Sequence, residues 1–205
     1  MQGFIIDTKI VNNEDLIVEI LTRQKIIRAY RFYGMRHSII NVGFKIDFEL
    51  EQTQKSNLAR LKDVMQLNFV WIFDNQKMFN WQKFIKLFHL HFKDVNEIET
   101  FYFDLLEECV IKISKQNERR VLVETYVKLL QAEGRLHTDM KCFLCDEDIL
   151  EDVAPVRAYL PSHKSCSYSP TINIEKMKIF FDTKSTIFLN DDEVDLLWKI
   201  LLQGI

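Results

Sequence analysis

The chain has 205 residues, 47% of them hydrophobic, with 27 Lys+Arg against 30 Asp+Glu. That much apolar material excludes global disorder, and only 5 Gly and 3 Pro exclude a collagen-like or low-complexity chain. No window approaches the ~18 uninterrupted apolar residues of a membrane span. The opening MQGFIIDTKIVNNED lacks a basic region and a cleavage site. A cytoplasmic chain is therefore expected, in which cysteines serve as metal ligands or core thiols rather than disulfides. The charge is unevenly spread. Residues 1–72 carry 10 Lys/Arg and 8 Asp/Glu, and the remainder 17 and 22. Between Ile20 and Ile46 there are six basic residues and no acid: Arg23, Lys25, Arg28, Arg31, Arg36 and Lys45. A local stretch of this kind, rather than the net charge, decides whether phosphates are attracted.

The first ~70 residues read as strands. Phe4–Ile6 is a short apolar run, and Asn12-Asn13 is a turn signal. Asp15–Thr22 carries apolar residues on both parities, and Ile26–Tyr33 is a third candidate strand. Phe44, Ile46, Phe48 and Leu50 alternate with Lys45, Asp47 and Glu49, the period of a half-buried strand. Leu58–Ile72 is ambiguous, with Val64–Ile72 leaning to strand. Five such strands fit a small closed barrel, although counting them does not select one fold.

The middle reads as three helices joined into a bundle. Met78, Trp81, Ile85, Phe88 and Phe92 mark one helical face; Ile98, Phe101, Leu105 and Cys109 mark a second; Leu122, Tyr126, Leu129 and Leu130 a third, stopped by Gly134. Cys109, on an apolar face, reads as a buried thiol. Residues 137–170 lose periodicity. Order resumes where Asn190 and Glu193 make a capping-box pair ahead of Val194, Leu197, Trp198 and Leu201.

Two short ligand pairs stand out in the aperiodic stretch. Cys142-Phe-Leu-Cys145 and His163-Lys-Ser-Cys166 each can bite one edge of a tetrahedron, as a structural zinc site requires. Four protein ligands leave no position for an activated water. His137 is an alternative to His163. Thiols packed in a small core, or a redox pair, are the competing readings. Asp146, Glu147, Asp148, Glu151 and Asp152 form a solvated loop that would repel phosphates. In the basic stretch, Tyr30 and Phe32 interleave with the arginines, the combination that holds single-stranded nucleic acid by ring stacking and phosphate neutralisation. The competing reading is that these rings fill the barrel. No nucleophile elbow, phosphate-binding loop, zinc-protease or dinucleotide motif is present, and His89 and His91 read as structural, so no enzyme is expected.

The order of parts resembles the RecO family of recombination and repair proteins. The resemblance lies in Met1-Gln-Gly-Phe-Ile-Ile6, Asn13-Glu-Asp-Leu-Ile-Val-Glu-Ile-Leu-Thr22, Tyr30-Arg-Phe-Tyr-Gly-Met-Arg-His-Ser38, Leu129-Leu130, Gly134-Arg-Leu-His137 and Cys142-x-x-Cys145. It implies an α+β, multi-domain chain: an OB-fold nucleic-acid-binding domain over 1–72, a helical bundle domain over 73–136, a zinc-finger-like insertion over 137–170, and a segment over 171–205 that returns to the helical domain. Metal-binding members of the family usually use four cysteines, whereas the pattern here is Cys3His. The resemblance further implies binding of single- and double-stranded DNA, strand annealing, and partnership with RecR and with the C-terminal tail of single-stranded-DNA-binding protein. Together these help load RecA, in the cytoplasm at the nucleoid. Lys83, Lys86 and Lys93 are candidate partners for the tail's carboxylates. The alternative is a zinc-stabilised protein-interaction adaptor with weak or no DNA binding.

Overall fold

The computed structural model describes residues 1–52 and 57–205. They form two compact units, Met1–Ser114 and Lys115–Ile205.

Five strands open the first unit: β1 (Gln2–Val11), β2 (Asp15–Leu21), β3 (Ile26–Arg31), β4 (Lys45–Glu51) and β5 (Ala59–Leu67). They close in the order β1-β2-β3-β5-β4, with β4 returning to β1 through Gln2↔Asp47 and Phe4↔Lys45. All neighbours are antiparallel except β3 and β5, which run parallel at Ala29↔Ala59 and Tyr30↔Arg60. This strand order is that of the five-stranded OB barrel. Closure leaves no open edge, and the alternation legible in the sequence becomes an inside and an outside. Leu16, Val18, Ile20, Ile27, Ala29, Ile46, Phe48 and Leu61 fill the interior, and Phe44 and Leu50 pack half-buried against them.

The fifth strand differs from the expected Val64–Ile72. It begins at Ala59 and ends at Leu67. Beyond it, Phe69 and Trp71 turn inward to meet Trp81, with ring centroids 6.3 and 6.0 Å away. Aromatic residues that suit a strand by propensity here serve a cluster beneath the barrel. Phe4 and Phe84 also meet Trp81, and Phe103 meets Phe4.

Two helices of the first unit, α1 (Asn75–His91) and α2 (Thr100–Ile113), supply Trp81, Phe84 and Phe103. Asp74 caps α1 by accepting from the backbone N–H of Gln76 and Lys77. The indole of Trp81 donates to the Gly43 carbonyl at 2.7 Å. Gly43 has φ +87°, and a Cβ there would lie 2.9 Å from the Trp81 ring, so only glycine lets the loop approach the helix so closely.

The second unit is built on α3 (Glu118–Ala132), followed by β6 (Asp152–Val153), α4 (Lys164–Ser167), β7 (Ile172–Asn173), α5 (Ile174–Thr183) and α6 (Asp191–Leu201). Gly134 follows α3 at φ +66°, where it stops the helix. The capping box at Asn190 and Glu193 is complete. Helix α3 packs on α6. The division between units therefore falls between α2 and α3, inside the stretch expected to form one helical bundle. Helix α5 had no reading in the sequence, although Met177, Phe180 and Phe181 provide its buried face.

Candidate nucleic-acid interface and metal centre

On β3, Ile27, Ala29 and Arg31 share the inward face, and Arg28 and Tyr30 the outward one, because side chains alternate along a strand. The six expected cations thus have different surroundings. Arg28 Nε contacts Glu19 at 2.9 Å and Arg36 Nη2 contacts Glu14 at 2.6 Å, yet both arginines stay exposed, at 61% and 64%. Arg23 pairs with Asp104 on α2 at 2.5 Å. Lys45 pairs with Glu107 on α2 at 2.7 Å and is only 14% exposed. Both cations also lie over the Phe103 ring, at 4.7 and 5.6 Å from its centroid. Lys25 is exposed in the β2–β3 turn. Arg31 is held in the barrel: its Nη1 donates to the Leu61 carbonyl at 2.8 Å, and its Nε is buried with no hydrogen-bond partner.

The two expected rings stand together. Tyr30 and Phe32 meet edge-on, with centroids 4.8 Å apart, and the Arg60 guanidinium lies 4.4 Å over Phe32. Neither ring fills the barrel: Tyr30 is half-buried and Phe32 exposed. Arg60 and Lys62 on β5 belong to the same patch, because the parallel pairing sets Arg60 beside Tyr30. Both contact Glu51, at 3.7 and 2.6 Å. Sequence reasoning missed these two, since only the closure of β5 onto β3 brings them near the basic stretch.

Asp15 organises the edge of this patch. Its carboxylate accepts from the Tyr30 hydroxyl and, at 2.7 Å, from the Tyr33 backbone N–H. The Tyr30 hydroxyl and then the Tyr33 amide hold the Asp15 carboxyl below its usual range, and the same Asp15 hydrogen bond raises the Tyr30 phenol. Tyr33 sits at φ +49°, and Arg36 lies 4.9 Å over its ring.

In the second unit, Cys142, Cys145, His163 and Cys166 present ligand atoms that all lie within 4.8 Å of one another. His163, not His137, is the histidine of this cluster. Its Nδ1 is 3.3 Å from Cys145 Sγ and 3.9 Å from Cys166 Sγ. A tetrahedron with arms of about 2.3 Å has edges of about 3.8 Å, so these separations suit one metal ion. The other ring nitrogen, Nε2, is 3.2 Å from the Asp148 carbonyl, the outer contact that fixes a ligating tautomer. The knuckle is set by its backbone: the Cys142 N–H donates to the Glu147 carbonyl, and the Asp146 N–H returns to the Cys142 carbonyl, both at 2.8 Å. Burial pushes the Cys142 thiol up, but the backbone N–H groups of His163, Leu144 and Cys145 outweigh it and bring the value to about 6. The acids Asp146, Glu147, Asp148, Glu151 and Asp152 are all exposed. Cys109 is buried on α2, and His89 Nδ1 lies 2.9 Å from Glu19. Lys83 is occupied over the Phe79 ring at 4.2 Å.

An OB barrel with an exposed ring-and-cation face, helices after it and a Cys3His cluster toward the C-terminus define an α+β protein. Residues 1–72 match the family model described as RecO N terminal, so the likeness covers the barrel and the residues just after it. No curated protein matches the chain. Among the described residues, no helix is long and apolar enough to cross a membrane.

Proposed function

We propose that the chain is a non-enzymatic mediator of DNA recombination and repair that binds single-stranded and, more weakly, double-stranded DNA on its barrel. The observation that carries this reading is the juxtaposition of Tyr30, Phe32 and Arg60 on the outer face of β3 and β5, inside the matched domain. Rings offer stacking to unpaired bases, and Lys25, Arg28, Arg36, Arg60 and Lys62 offer charge to phosphates. Exposed ion pairs such as Arg36–Glu14 contribute only about 0–1 kcal/mol, so exchanging a carboxylate for a phosphate costs little. Of the other cations expected from the sequence to bind phosphate, Arg31 is held on the Leu61 carbonyl, Lys45 is mostly buried on Glu107, and Arg23 is engaged by Asp104 and stacked on Phe103. Neutralising two strands reduces their repulsion and lets complementary bases pair, which needs no covalent chemistry. The soft donor set Cys142, Cys145, His163 and Cys166 suits structural zinc, which would tie residues 137–170 together. RecR, the C-terminal tail of single-stranded-DNA-binding protein and the loading of RecA belong to the same proposal, as do the domain boundaries 1–72, 73–136, 137–170 and 171–205 and a cytoplasmic, nucleoid-associated location.

The test is a titration of single-stranded DNA over a salt series. Five phosphate contacts at ~0.7 each predict a log–log slope near about −3.5. A flat or absent response would instead favour the second reading, a zinc-stabilised adaptor that does not bind DNA. The observation on its side is the pairing of Arg23, Arg28, Arg36 and Lys45 with carboxylates.

A further inference from the structure

Tyr33 has an arrangement that folding alone does not explain. Its ring is large, apolar and 57% exposed. Its backbone is in the left-handed region at φ +49°, ψ +30°, which costs energy for any residue with a Cβ. The conformation is nevertheless held from several sides. The Tyr33 N–H donates to Asp15, and the Met35 N–H donates to the Glu14 carbonyl at 3.0 Å. Gly34 is seated so closely on Leu16 that a Cβ would lie 2.8 Å from its side chain. The Arg36 and His37 N–H groups close the following turn onto Tyr33 and Gly34. A rigid mount thus aims an aromatic face at solvent, with a guanidinium 4.9 Å from its centroid and a second ring-and-guanidinium pair, Phe32 and Arg60, on the same edge.

We propose that Tyr33 is a base-stacking residue, and that it gives the barrel face its preference for unpaired over duplex strands. The inference rests on the DNA-binding reading above and deepens it. A projecting ring can cover the face of a splayed base, whereas in a duplex those faces are already stacked. Arg36 keeps the flanking phosphate near. Asp15 is a positioning residue: it touches no base and acts by holding the Tyr33 amide.

The experiment compares wild type with Tyr33→Gly and Tyr33→Phe. Binding of a labelled oligothymidylate and of a labelled duplex of equal length is measured, with thermal unfolding as the control for fold. Glycine accepts the left-handed backbone without cost, so Tyr33→Gly unfolds no earlier than wild type. Its single-strand affinity falls about tenfold while its duplex affinity stays within about twofold, and Tyr33→Phe behaves as wild type toward both. Unchanged single-strand affinity of Tyr33→Gly, beside a wild type that binds, overturns the role of Tyr33 and leaves the wider reading standing. Equal loss toward both ligands also overturns it, as a general contact rather than a selective one. A wild type that binds neither ligand overturns the DNA-binding reading itself.

Discussion

Arg23, in the turn after β2, reaches Asp104 on α2 at 2.5 Å while its guanidinium lies over the neighbouring Phe103. One turn away, Glu107 holds Lys45. The helix that packs beneath the barrel therefore supplies carboxylates to two of the six cations in the acid-free stretch from Ile20 to Ile46. Asp104→Asn combined with Glu107→Gln releases both. Single-strand affinity at low salt should then rise several-fold, and the log–log salt slope should steepen by about 0.7 for each cation that gains a phosphate. An unchanged slope in a binding titration would show that the two cations remain outside the DNA path.

Arg28 and Arg31 are three residues apart and separate cleanly by face. Arg28→Gln should weaken DNA binding severalfold and leave stability within about 0.5 kcal/mol, since Arg28 is exposed and the amide sets no like charge opposite Glu19. Arg31→Ala should do the opposite. It strands the Leu61 carbonyl and opens a gap at the barrel end, at a cost of about 1–3 kcal/mol, with a smaller effect on DNA affinity. Parallel denaturant unfolding and DNA titration of the two variants distinguish the roles.

Cys142→Ser removes one of four clustered donors. Bound zinc should drop below one equivalent per chain, and the second unit should lose thermal stability and become protease-sensitive between residues 137 and 170. Chelation of the wild type should reproduce the effect, whereas His137→Ala should keep full metal content. Full zinc stoichiometry in the serine variant, measured by elemental analysis, would refute the ligand assignment.

The tie between Asp15, Tyr30 and Tyr33 depends on pH in a defined direction. Hydrogen bonds from the Tyr30 hydroxyl and the Tyr33 amide lower the folded-state value of Asp15 below its unfolded one. The contribution is therefore complete above the unfolded carboxylate value and is lost as pH falls through the folded one. For Tyr30 the folded value is raised, so its share is present below the ordinary phenol value and is lost as pH rises through the folded one. Asp15→Asn should flatten the acid limb of the stability profile and loosen the Tyr33 mount, seen as faster amide exchange at Tyr33.

Trp81 links α1 to the barrel through the Gly43 carbonyl and sits among Phe4, Phe69, Trp71 and Phe84 with no solvent exposure. Trp81→Ala should cost about 3–5 kcal/mol. Trp81→Phe should cost less, because it keeps most of the packing and gives up the hydrogen bond. Chemical denaturation of both variants gives the comparison.

Local periodicity was enough to place β2, β3 and β4, the three helices from Asn75 to Ala132, and the Asn190 cap, because the spacing of apolar residues and the capping side chains act within a few residues of one another. The pairing of Cys142-x-x-Cys145 with His163-x-x-Cys166 was legible for the same reason, each half being a short-range pattern. The sequence by itself also located the concentration of positive charge. What only the tertiary structure decided is how that charge is used. A six-residue strand assigns Arg28 outward and Arg31 inward by parity, and parity is known only once the interior is known. Whether Arg23 and Lys45 are free depends on α2, some sixty or more residues away in the chain. Arg60 joins Tyr30 only because β5 closes the barrel in parallel beside β3. His163 rather than His137 is chosen by the path of the loop between the cysteine pairs. Elements follow from neighbours in sequence; faces, partners and sites follow from neighbours in space, which residue spacing does not encode.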